Sequence, residues 1–141
     1  MRLCRADNVV IFLREGDSYR LTANYGYSRE YEDFMRIHPI TPGRGTIAGR
    51  TVLERRPVHV LDILADPDYT MVEAQRLGGF RTMLGVPLMR DETPIGVMTL
   101  LRNTVQPFSN TETDLATTFA DQAVIAIENV RLFEAEQQRS R

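Results

Sequence analysis

None of the 141 residues is lysine; all 17 basic side chains are arginine. That absence excludes a Schiff-base lysine, a lysine general base and the lysine of a phosphate-binding loop. Cysteine is nearly as scarce. Cys4 is the only one, so there is no internal disulfide and no dithiol chemistry, and the lean is toward a reducing, cytoplasmic setting. His38 and His59 are the only histidines. With Cys4 and scattered acids they form no metal-ligand spacing, so no metal is expected. No apolar run approaches the ~20 residues that cross a bilayer, and no secretory signal opens the chain. A formal charge of −2 leaves no electrostatic footprint for nucleic acid or an anionic membrane.

What is present is ordinary for a globular protein: 43% hydrophobic and 26% charged residues. At this length residues 1–141 are expected to form one domain with a real core. There are no internal repeats, low-complexity segments or linkers.

The chain is organised around its last third. Ser109-Asn110-Thr111-Glu112 has the spacing by which a serine and a glutamate cap each other's free backbone N–H groups at a helix start. The remainder of the chain lacks proline and glycine and is rich in helix formers. The pattern predicts a helix from Ser109 to about Gln137, roughly 40 Å long at ~1.5 Å per residue. Leu115, Phe119, Gln122, Ala126, Val130, Phe133 and Gln137 recur at intervals of three and four. Ala120, Ala123, Val124 and Ile127 widen the apolar surface beyond what one packing face needs. Residues 134–141 turn polar and begin a connecting helix.

Earlier elements are shorter. Asn8–Arg14 (NVVIFLR) and Tyr19–Tyr25 (YRLTANY) read as strands around the turn Glu15-Gly16-Asp17-Ser18, a hairpin. Ser28 caps a short helix presenting Tyr31, Phe34 and Met35, ended by Pro39. Pro42-Gly43-Arg44-Gly45 leads into a second helix burying Ile47, Ala48, Thr51 and Val52, with Arg55, Arg56 and Pro57 at its end. That glycine turn lacks the ending of a phosphate loop and reads as a plain helix entry. Pro57–Ile63 is a strand. Thr70-Met71-Val72-Glu73 has capping-box spacing and Gly78-Gly79 stops the helix it opens. Thr82–Met89 and Ile95–Arg102 are apolar on both faces, the mark of central strands covered on both sides. The expected class is α+β: an antiparallel sheet, the long helix on one face and short helices on the other.

With these pieces in place the sequence resembles a GAF domain, the small-molecule sensory module of signalling proteins. ADNVVIFL, GRGTIAGRTVLERRPVHVLDI, FRTMLGVPLMRDETPIGVMTL and PFSNTETDLATTFADQAVIAIENVRLFE carry the likeness, in that order, from about Leu3 to Phe133. The resemblance implies a GAF-like (PAS-like) fold: a six-stranded antiparallel sheet, terminal helices on one face and a ligand pocket on the other. Of the family's first helix only an end near Leu3 and Cys4 is expected. The implied role is non-catalytic and regulatory. A small ligand is bound and the signal passes through the C-terminal helix to an output domain of the same chain, with a bacterial sensor histidine kinase as the expected setting. A cyclase regulator, a ligand-free dimerisation scaffold and a small GAF-type reductase are the alternatives.

The resemblance places Asp62, Tyr69, Met71, Phe80, Arg81 and Thr99 at the pocket. Arg81 either meets an anionic ligand bidentately or pairs at the surface with Asp62 or Glu73. No cofactor is implied. The cyclic-nucleotide pattern of the family is matched here only by Asn103 and Phe108; the lysine is replaced by Thr104 and the closing acid pair by Glu112-Thr113. His38, His59 and Cys4 read as structural. Leu115, Phe119, Ala123, Ala126, Val130 and Phe133 are expected to pair the long helix with a second copy in a parallel bundle.

Overall fold

The computed structural model describes residues 3–139, with side chains through residue 137. The chain opens on a single turn, Leu3–Arg5, in which Cys4 and Arg5 both have positive φ (53° and 57°). Strands β1 (Asn8–Glu15) and β2 (Ser18–Tyr25) then form the expected hairpin, closed by Gly16-Asp17 with Gly16 at φ 65°. A two-residue hairpin turn requires such a left-handed residue. Helix α1 (Arg29–Arg36) is capped by Ser28, whose hydroxyl accepts from the Tyr31 N–H at 3.3 Å. Helix α2 (Ile47–Glu54) is capped by Thr46 and ends in Arg55 with left-handed backbone. Strand β3 (Val58–Val60), helix α3 (Val72–Gly78), strands β4 (Thr82–Arg90) and β5 (Thr93–Arg102) and helix α4 (Asn110–Arg139) complete the fold.

The sheet has five antiparallel strands in the order β2-β1-β5-β4-β3, with β5 at its centre. Two expectations are corrected by this arrangement. The sixth strand implied by the family resemblance is absent among the described residues. Only β3 comes from Pro57–Ile63, because Asp62 accepts from the Leu64 N–H at 3.1 Å and turns the chain into the short helical turn Ile63–Ala65. The second capping box does not form either. Met71 occupies the cap position without a side-chain bond, Thr70 is drawn off to the Gly45 carbonyl, and Glu73 pairs with Arg76.

Strand alternation divides the core in two. Val10, Phe12, Met83, Val97 and Leu101 point toward α1, α2 and α3. Leu84, Val86, Leu88, Ile95, Met98 and Leu100 point toward α4, which buries Ala116, Ala120 and Val124 against them. Gly85 admits α2 to the sheet: a β-carbon there would collide with the hydroxyl of Thr51. The Ser109–Glu112 capping box does form at the start of α4, with mutual bonds of 2.9 and 3.0 Å. These placements set a cavity on one side of β5 and the long helix on the other.

Candidate ligand cavity, its lid and the exit helix

Between the sheet and helices α1–α3 lies a narrow cavity of about 20 Å³, enough for roughly one water molecule. Phe12, Met83 and Thr99 form its floor, Tyr31, Met35, Ile47 and Ala48 its walls, and Tyr69, Met71, Ala74 and Phe80 its roof. Phe80 is buried at 1% exposure. The Tyr69 and Phe80 rings meet edge-on at 6.3 Å, and the Tyr27 ring lies tilted against Tyr31 with centroids 4.2 Å apart. Burial pushes the phenols of Tyr31 and Tyr69 far up, so both stay protonated. Tyr27 is raised by burial and then by Tyr31, with the Asn8 amide acting the other way; its hydroxyl finds no hydrogen bond of good geometry.

The roof, residues 66–80, is held down at its start by charge. Arg50 projects from α2 and bonds both carboxylate oxygens of Asp66, at 2.8 and 2.6 Å, while its Nε donates to the Arg44 carbonyl at 2.7 Å. The two side chains are 4% and 13% exposed. Arg50 holds the Asp66 carboxyl below its usual range, helped by the Asp68 and Tyr69 amides. Arg44 bonds Asp68 at 3.0 Å, and Thr70 donates through its N–H (2.8 Å) and hydroxyl (3.2 Å) to the Gly45 carbonyl. At the far end Gly79 stops α3 in left-handed conformation, and Gln75 donates to the Phe80 carbonyl at 2.9 Å.

Four of the six residues placed at the pocket by resemblance, Tyr69, Met71, Phe80 and Thr99, line this cavity. Asp62 and Arg81 do not. They form a part-exposed bidentate pair, at 2.9 and 2.8 Å, outside it. Arg81 draws the Asp62 carboxyl below its ordinary range. Arg50, Arg44, Asp66 and Asp68 are not singled out by the sequence pattern. One signal was available: Arg50 stands three residues after Ile47 and so falls on the buried face of α2, where a charge needs a partner.

On the other side of β5 a second arginine joins the sheet to α4. Arg102, 2% exposed, donates to the carbonyls of Cys4 (2.9 Å), Gln106 (3.1 Å) and Pro107 (2.7 Å) and to the Glu112 carboxylate (2.8 Å). It also lies 4.0 Å above the Phe108 ring. His59 Nε2 accepts the Phe108 N–H at 3.2 Å, and burial followed by the Arg102 charge lowers the imidazole's pKa. The Cys4 thiol donates to the Glu112 carbonyl at 3.0 Å and is pushed up by burial. Of the cyclic-nucleotide pattern, Phe108 and Glu112 thus belong to this joint and the Asn103 N–H donates to Asp7 at 2.8 Å; none of the three lines the cavity. His38 Nδ1 donates to the Phe34 carbonyl (2.8 Å) at the exposed end of α1.

The α4 stripe divides as its width required. Ala123 is half-buried against the sheet, whereas Leu115, Phe119, Ala126, Val130 and Phe133 are exposed, Val130 at 56% and Phe133 at 64%. No residue group among those described has the makings of a metal site. No described helix is long and apolar enough to cross a membrane.

Residues 2–128 match the sequence profile of the family described as GAF domain. No curated protein matches the chain. Among solved structures it is similar to the GAF domain of a phosphoenolpyruvate-protein phosphotransferase from Coxiella burnetii, with 20% identity and a TM-score of 0.78 over 92% of this chain and 76% of that one. A domain assigned to a two-component sensor histidine kinase from Sinorhizobium meliloti 1021 shares 22% identity (TM-score 0.74; 94% and 85% covered). The type II free methionine-R-sulfoxide reductase of Thermoplasma acidophilum shares 20% (TM-score 0.72; 89% and 81%). The chain belongs to the GAF domain family.

Proposed function

We propose that this GAF domain is a non-catalytic regulatory module of a bacterial, cytoplasmic signalling protein. It takes a small ligand over the sheet and passes the change through α4, paired with a second copy, to an output domain of the histidine-kinase kind. One observation carries the reading: β5 is shared by both parts. Thr99 faces the cavity while its neighbours Met98 and Leu100 pack on the α4 side. A displacement of the floor therefore reaches the helix through a single strand. Among its structural relatives, one comes from a sensor kinase protein and another is a methyl-accepting chemotaxis protein.

Reductase chemistry of the kind named for the Thermoplasma relative finds little support, since a lone thiol cannot close an internal disulfide. The scaffold alternative is favoured by one specific feature, the small size of the cavity. Thermal-shift screening of metabolites separates the two. A stabilising compound that also alters the activity of the full-length protein supports the sensor. A screen without any stabilising compound, with α4 pairing intact, leaves the scaffold.

A further inference from the structure

The cavity's walls say what chemistry it accepts. Among the described residues its lining holds aromatic, aliphatic and methionine side chains, the hydroxyls of Tyr31, Tyr69, Thr46 and Thr99, and no charge. The arginines around the roof are already engaged, Arg76 with Glu73 on the exposed side of α3. Arg50 commits all three guanidinium nitrogens to Asp66 and the Arg44 carbonyl, and Arg81 is held by Asp62 outside the cavity. An anion placed here would lose its water and find no cation, a cost no neutral molecule bears. The phenols of Tyr31 and Tyr69 belong to the lining, and the hydroxyl of Tyr27, whose ring packs on Tyr31, is buried without a partner among the described residues, so a ligand with one polar atom has phenols to meet.

We infer that the site selects a small, uncharged, largely apolar molecule bearing a single hydrogen-bonding group, in the manner of a phenol, and discriminates against carboxylates, phosphates and cyclic nucleotides. This rests on the sensory reading above and deepens it. Admission requires the roof to yield, and the roof is built to do so. Met71 and Met35 are unbranched and pliable, Met71 is only half-buried, and α3 runs seven residues between the Arg50–Asp66 latch and the left-handed Gly79. The ligand then occupies the volume now filled by Met71, with its polar atom directed to the phenols.

The test uses the whole chain and two probes of matched size, phenol and benzoate, with inorganic phosphate as a third. Binding is read from backbone amide NMR shifts of Ala74, Phe80 and Thr99, in the natural protein and in Met71→Ala, which opens space without touching the core strands. The expected result is phenol shifting these amides in both proteins, more tightly in the variant, and binding at least about tenfold better than benzoate. Benzoate or phosphate moving the same amides as strongly overturns this inference and leaves the sensory reading standing. No probe moving them in either protein overturns this inference too, and the sensory reading then stands or falls with the metabolite screen.

Discussion

Arg50 and Asp66 grip each other at two points where the roof of the cavity begins, Nη1 to Oδ2 at 2.8 Å and Nη2 to Oδ1 at 2.6 Å. The pair joins α2, which is fixed to the sheet at Gly85, to the first residue of the segment roofing the cavity. It is nearly buried, so removing one partner leaves the other charge out of water and uncompensated, and breaking the pair by halves is costly.

Asp66→Ala should therefore destabilise the fold by about 3–5 kcal/mol, because the Arg50 guanidinium is left buried and unmatched. Replacing both partners together, Arg50→Met with Asp66→Leu, should recover most of that loss. The pH dependence has a definite sign. The folded pKa of Asp66 is depressed by Arg50, so the stabilisation is complete above the carboxyl's ordinary value near ~4 and disappears as pH falls through the depressed one. Urea denaturation at pH 7 and pH 3 checks this: the gap between the natural chain and Asp66→Ala should narrow at the lower pH.

Phe80 closes the roof at 1% exposure, against Tyr27 and Tyr69. Phe80→Ala should cost about 3–5 kcal/mol, the transfer of the ring plus the void it leaves, while Phe80→Leu should cost less. The midpoint of chemical denaturation should move with the slope unchanged. The enlarged cavity should also bind phenol more tightly than the natural one does.

Much of this architecture was readable in the sequence. The hairpin at Gly16-Asp17, the capping residues Ser28 and Ser109, and the doubly apolar strands β4 and β5 are local signals, and local signals survive folding. What escaped was of two kinds. Thr70 has the spacing of a cap for α3, but the Gly45 carbonyl, 25 residues away, competes for it and wins. Arg50, Arg102 and Arg81 look alike in a chain where every cation is arginine. Only the fold shows that the first latches the roof, the second ties β5 to α4, and the third is spent on Asp62. The same limit touched the site: Tyr69, Met71, Phe80 and Thr99 were placed by analogy with the family, and nothing in their spacing says the cavity between them is small.

His59 gives the joint at the start of α4 its own pH dependence. Its Nε2 must be unprotonated to accept the Phe108 N–H, and burial with the Arg102 charge favours that neutral form. A depressed pKa places the full contribution above the free value of ~6.5, to be lost as pH falls through the folded value. The thermal midpoint should therefore drop between pH 7.5 and pH 5 by more in the natural protein than in His59→Gln. An equal drop in both would assign the dependence to other groups.

The exposed stripe of α4 has the composition of an interface rather than of a solvated helix face. Leu115, Phe119, Gln122, Ala126, Val130 and Phe133 succeed one another at intervals of three or four, none of them charged, and all lie exposed. The face that packs on the sheet is a different one, Ala116, Ala120 and Val124, so the fold itself does not consume the stripe. A helix presenting such a seam is satisfied by another like it, with Gln122 as a polar residue able to fix register. Sedimentation should show the chain associating with concentration. Val130→Glu with Phe133→Glu should weaken association at least about tenfold while leaving the circular dichroism unchanged, since both side chains stand in solvent in the single chain. Leu132→Glu is the matched control. It is equally exposed but turned about 100° around the helix, and it should leave association as it was. If the double substitution and the control leave association alike, this stripe does not pair two copies, and any signal must travel along one helix rather than between two.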